Sequence, residues 1–114
     1  MLNSVREIDV LKHESWSNVD DMMGTCALVT CMNFISCLGY RAPTAWQDTL
    51  ELGCKLLKTD GCLVQFDLIK HGKFGDIRAM TTYLKDNNLH LQLVDFKPTS
   101  WSNEFVCIVW KKVA

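Results

Sequence analysis

A chain of 114 residues has room for one small domain around a single core, and its 48% apolar content is enough to pack that core and too much for disorder. Twelve basic residues against thirteen acidic ones give a net charge of −1, and the lysines are scattered, so no basic surface for nucleic acid is expected. No apolar run reaches the ~18 residues of a membrane span, and Arg6, Glu7 and Asp9 interrupt any secretory leader at the start of these residues.

Residues 1–12 carry both helical and strand spacing, through Val5, Ile8 and Leu11 and through Ile8 and Val10. Residues 13–24, with Ser15, Ser17, Asn18, Asp20, Asp21 and Gly24, have a loop composition. The apolar run from Thr25 to Leu38 predicts a central buried helix, ended by Gly39. A second helix is expected from Pro43 to about Lys58, with Trp46, Leu50, Cys54 and Leu57 on one face. Asp60 is expected to cap a third over Cys62 to Lys70. After a turn at 71–75, Asp76 caps a fourth from Ile77 to Lys85, whose Ile77, Met80 and Leu84 face inward. Alternation of Leu89, Leu91 and Leu93 with polar residues then predicts a strand. A second follows over Glu104 to Lys111, apolar on both faces.

Six cysteines, at 26, 31, 37, 54, 62 and 107, include no Cys-x-x-Cys pair, which argues against a structural zinc site. Most stand in apolar surroundings, where free cysteine behaves as a small hydrophobe, so a reducing compartment is expected. Asp20-Asp21 reads as a solvated loop rather than a cation site. Neither metal nor cofactor is expected.

The order of these features resembles the helical thumb of coronavirus papain-like proteases across about residues 24–96. The resemblance rests on Gly24-Thr25-Cys26 opening an apolar helix and Ala45-Trp46-Gln47 near the start of the next. It continues with Gly75-Asp76-Ile77-Arg78 leading into a helix that ends near Tyr83-Leu84. It implies an α+β fold in one domain, 1–114: a papain-like thumb of about four helices over 25–86, then a short two- or three-stranded antiparallel sheet with strands at 89–96 and 104–111. It also places Cys26 at the nucleophile position. The position of the family's oxyanion donor, five residues earlier, is Asp21, whose charge would repel an oxyanion. No zinc-binding fingers or palm sheet follow, so the chain reads as a truncated, degenerate relative.

Cys26 needs a base, and the one candidate is His90 with Asp95 as its orienting carboxylate. Strand alternation sets those two on opposite faces unless a bulge intervenes. Trp101, between two serines, and Trp110, on the last strand, are the candidate interaction residues, because four short helices are expected to cover only one face of that strand. The resemblance therefore implies a non-catalytic domain of a viral replicase polyprotein, acting as an interaction or scaffolding module. It would lie in the host cytoplasm or within a membrane-anchored polyprotein. Its partner would be a second copy, a neighbouring polyprotein domain or a host protein. Two alternatives stay open: a compact cysteine protease or deubiquitinase using Cys26 and His90, and a small viral inhibitor of a host factor.

Overall fold

The computed structural model describes residues 6–32, 44–68, 76–99 and 102–114. After an extended N-terminal stretch come two 3-10 turns over His13–Met22, joined at a kink at Val19. Then follow strand β1 (Cys26–Met32), helix α1 (Ala45–Leu56), strand β2 (Leu57–Leu68), helix α2 (Ile77–Asp86) and strands β3 (Leu91–Thr99) and β4 (Ser102–Lys112). The strands form one sheet in the order β1-β2-β4-β3. β1 and β2 run parallel around α1, whereas β4 inserts between β2 and β3 and is antiparallel to both.

This corrects the expected architecture. The chain is α+β, but two α-helices and the 3-10 turns accompany a four-stranded mixed sheet, not a thumb of about four helices followed by a short antiparallel sheet. Two expected helices are strands. The run beginning at Cys26 is β1, a strand with Ala27, Leu28, Thr30 and Met32 exposed, and a run apolar on every side does not by itself separate strand from helix. The expected end of that helix, with Gly39, lies outside the described residues.

The second correction concerns 57–68. Asp60 adopts φ +72°, a left-handed conformation, whereas a helix N-cap needs an extended backbone. Residues 58–61 loop out between the Cys26–Leu57 and Leu28–Cys62 pairs, after which β2 alternates strictly. Gly61, Leu63, Gln65 and Asp67 are buried, while Cys62, Val64 and Phe66 are half-buried. Gly61 sits so close to β1 that a Cβ there would lie 2.8 Å from the Cys26 carbonyl oxygen.

Both α-helices lie on one face of the sheet. α1 brings Trp46, Leu50 and Cys54, and α2 brings Met80 and Leu84, against Leu57 and Leu63 of β2, Leu91 of β3 and Val106, Ile108 and Trp110 of β4. The start of α2 falls where the sequence places it: Asp76 accepts a hydrogen bond from the Ala79 amide at 3.1 Å. The last turn of α1 is held from β4, where Lys112 Nζ donates to the carbonyls of Cys54 (2.8 Å) and Leu57 (2.7 Å). A cation there also offsets the negative end of the helix dipole.

Candidate interaction surface

β1 and β3 are the opposite edges of the sheet. Cys26 opens β1, and the His90 carbonyl, just before β3, accepts from the Val113 amide beyond β4. Three strand spacings, about 14 Å, therefore separate the proposed nucleophile from its base. Cys26 also stands at the start of a strand, which lacks the helix dipole that would activate a thiol. A bulge does occur in β3, between Leu93 and Asp95, and it sets Asp95 on the same face as Gln92. There Asp95 pairs with Lys97 at 3.5 Å. Asp21 forms a short ion pair with Arg6, whose hydrogen bond and charge hold the carboxyl below its usual range. No catalytic centre is assembled from Cys26, His90 and Asp95. The buried Cys54 thiol is pushed up by desolvation, which likewise opposes thiolate formation.

Trp101 lies outside the described residues. Trp110 is 1% exposed and packs beneath the helices, its indole N–H donating to Gln65 Oε1 at 2.8 Å. The face of β4 that the sequence leaves open is thus the covered one, and the face carrying Phe105, Cys107 and Val109 is, among the described residues, the open and half-buried one.

The strand register assembles that open face row by row. Leu28, Cys62, Lys111 and Gln92 form one row across the sheet. Thr30, Val64, Val109 and Asp95 form the next, and Met32, Phe66, Cys107 and Lys97 the third. Phe105 stacks on Phe66 with ring centroids 5.3 Å apart. The centre is apolar apart from Lys111 at one end of β4 and Thr30 on β1, and the other polar side chains stand on the β3 side. Toward β1 the apolar surface runs to the edge: Leu28 is 60% exposed and Met32 70%, more than any other large apolar side chain among the described residues. The rim charges neutralise one another, Lys97 with Asp95 and Lys111 with Asp60 at 3.6 Å.

A polar cluster lies on the opposite side of the molecule. His13 Nε2 is 2.6 Å from Asp48 Oδ1, and with Glu51 three ligand-type atoms fall within 4.8 Å of one another. These groups already engage protein partners: Glu51 meets Lys55 at 3.4 Å and the Tyr83 hydroxyl at 3.5 Å. The His13 ring stacks on Trp16 at 4.0 Å. The Tyr83 hydroxyl is pushed up, first by burial and then by the charges of Glu51 and Asp48. The arrangement clamps the 3-10 turns onto α1.

A cleft of about 270 Å³ runs beside β1 on the helix side, lined by Ile8, Val29, Cys31, Leu52, Leu56 and Leu63, among others. Among the described residues, no helix is long and apolar enough to cross a membrane. No protein-family model matches the chain, and no curated protein matches it either.

Proposed function

We propose that this chain is a non-catalytic protein-interaction domain whose open sheet face is completed by a helical layer of a partner protein. The observation that carries this reading is the one-sided cover of a sheet containing a parallel pair. Parallel strands are ordinarily buried on both faces by helices, yet among the described residues α1 and α2 lie on one face while Val64, Phe66, Phe105, Cys107 and Val109 are half-exposed on the other.

The width of the face suits a pair of helices. Four strands span about 19 Å, the width of two helices packed about 10 Å apart, and α1 and α2 already cover the other face in this way. The self-neutralised rim offers no charge to steer a highly charged ligand.

The test starts from a photo-crosslinking phenylalanine analogue in place of Phe66, used in the source cells to capture the partner, which is then purified and mixed with the unmodified chain. Complex formation should protect Cys62 and Cys107 from alkylation and protect helical segments of the partner in hydrogen exchange. Phe66→Glu should abolish binding while leaving the melting temperature in place. Cross-links only to a second copy, or unchanged Cys62 and Cys107 reactivity in the complex, would overturn the proposal.

A further inference from the structure

We infer that His13, Asp48 and Glu51, away from the open sheet face, form a binding site for a divalent first-row metal ion such as Zn²⁺ or Mn²⁺, which ties the 3-10 turns to α1. Asp48 and Glu51 stand three residues apart on α1, a spacing that puts both carboxylates on one face of the helix. His13, the first residue of the 3-10 turns, reaches that face from 35 residues away in the chain. One donor atom from each of the three lies within 4.8 Å of the other two. Donors bound at about 2.1 Å to one ion stand about 3.0–3.4 Å apart. The set therefore closes on an ion by side-chain movement alone, with the His13–Asp48 pair opening slightly from 2.6 Å.

The three side chains are held in this arrangement by contacts behind them. The His13 ring stacks on the buried Trp16, whose indole N–H donates to the Val10 carbonyl at 3.2 Å. The Asp48 oxygen that does not face His13 accepts from the Thr44 hydroxyl at 3.4 Å, and Glu51 Oε2 accepts from the Tyr83 hydroxyl at 3.5 Å. Hydrogen bonds behind the ligands orient them in metal centres generally. The cluster also keeps an open side. The His13 side chain is 49% exposed, so water reaches the remaining coordination positions.

Charge and donor type set the class of ion. A His13–Asp48 pair alone has no need of a second carboxylate beside it, and two carboxylates this close repel. Lys55 offsets one of them from 3.4 Å, at Glu51 Oε1, and a divalent ion among the three donors offsets the rest. Lys55 is half exposed, so it leaves Oε1 for water at little cost. An imidazole nitrogen disfavours Ca²⁺ and Mg²⁺, which take oxygen ligands, whereas Zn²⁺ and Mn²⁺ accept one nitrogen with two carboxylate oxygens. On binding, the ion takes the place of the hydrogen between His13 Nε2 and Asp48 Oδ1, and that proton passes to solvent.

Mn²⁺ is the probe, because it broadens NMR signals near its site and has little affinity for thiols. Added below one equivalent, it should broaden the amide signals of His13, Asp48 and Glu51 first, and Zn²⁺ should displace it. His13→Gln and Glu51→Gln should each weaken binding by ~10-fold or more, in chains whose other signals stay in place. Lys55→Gln should strengthen binding, since a competing cation is gone; a cluster that serves only as an ion pair has no such response. Mn²⁺ should also raise the melting temperature of the parent chain and not that of His13→Gln. Broadening spread evenly over surface carboxylates such as Asp20 and Asp21, broadening unchanged in His13→Gln, or none at about 1 mM Mn²⁺ would each overturn the proposal. Where His13→Gln loosens the turns themselves, Glu51→Gln decides, because it leaves the His13–Asp48 contact in place; full Mn²⁺ affinity in that variant equally overturns it.

Discussion

At the scale of single residues, the buried pair Gln65 and Trp110 shows how the covered face was made at some cost. Gln65 is 1% exposed, its Oε1 accepts from the Trp110 indole, and its Nε2 has no hydrogen-bond partner. An unmade hydrogen bond on a buried donor costs about 1–3 kcal/mol. Gln65→Leu removes that orphan but leaves the indole N–H unpaired, so the two effects oppose and the loss should be about 1 kcal/mol or less. Trp110→Phe strands both ends of the amide and leaves a void, and should cost about 2–4 kcal/mol. The double variant should be more stable than the sum of the two losses implies, with a coupling of about 1–2 kcal/mol. Chemical denaturation of the four proteins measures it. Strict additivity would show that the 2.8 Å contact contributes nothing.

At the scale of elements, Asp76 and Gly61 separate what the sequence discloses from what it conceals. Asp76 caps α2 through a local contact three residues long, and α2 repeats its buried positions at Met80 and Leu84, so this helix was legible from its own residues. The body of α1 was legible for the same reason, through Trp46, Leu50 and Cys54. β1 and β2 were not. β1 is apolar on both faces and so shows no alternation, β2 carries the polar Gln65 and Asp67 on its buried face, and the Asp60-Gly61 step is a loop-out only because β1 passes beside it. The same non-local cause hid the candidate surface: which face of β4 the helices cover depends on the register with β2, which no residue of β4 encodes alone. Asp76→Ala should therefore cost about 1 kcal/mol, the ordinary loss of a cap. Gly61→Ala should cost more, because its Cβ meets, besides the Leu57 side chain (2.9 Å), the backbone oxygens of Cys26 (2.8 Å) and Lys58 (3.0 Å), which cannot yield as a side chain can. A Gly61→Ala chain as stable as the parent would show that β1 and β2 do not approach this closely at Gly61.

At the scale of the whole molecule, the sidedness of the sheet sets opposite outcomes for adjacent residues. Trp110 and Val109 are neighbours on β4, but Trp110 faces α1 and α2 while Val109 lies half-buried on the opposite face, across from Val64. A charge at Trp110 would be buried without a partner, and such groups are among the most destabilising substitutions known. Trp110→Glu should therefore abolish cooperative unfolding rather than dissect an interface. Val109→Lys should leave the melting temperature within a few degrees of the parent, since a lysine there reaches water and its stem still covers apolar neighbours. It should also reduce binding of a hydrophobic dye to the native chain, because it interrupts the patch formed with Val64, Phe66 and Cys107. Thermal melts with dye titration distinguish the two substitutions. Equal destabilisation by both would mean that each face of the sheet is already covered within the chain, and a domain covered on both faces would have no need of the helical layer.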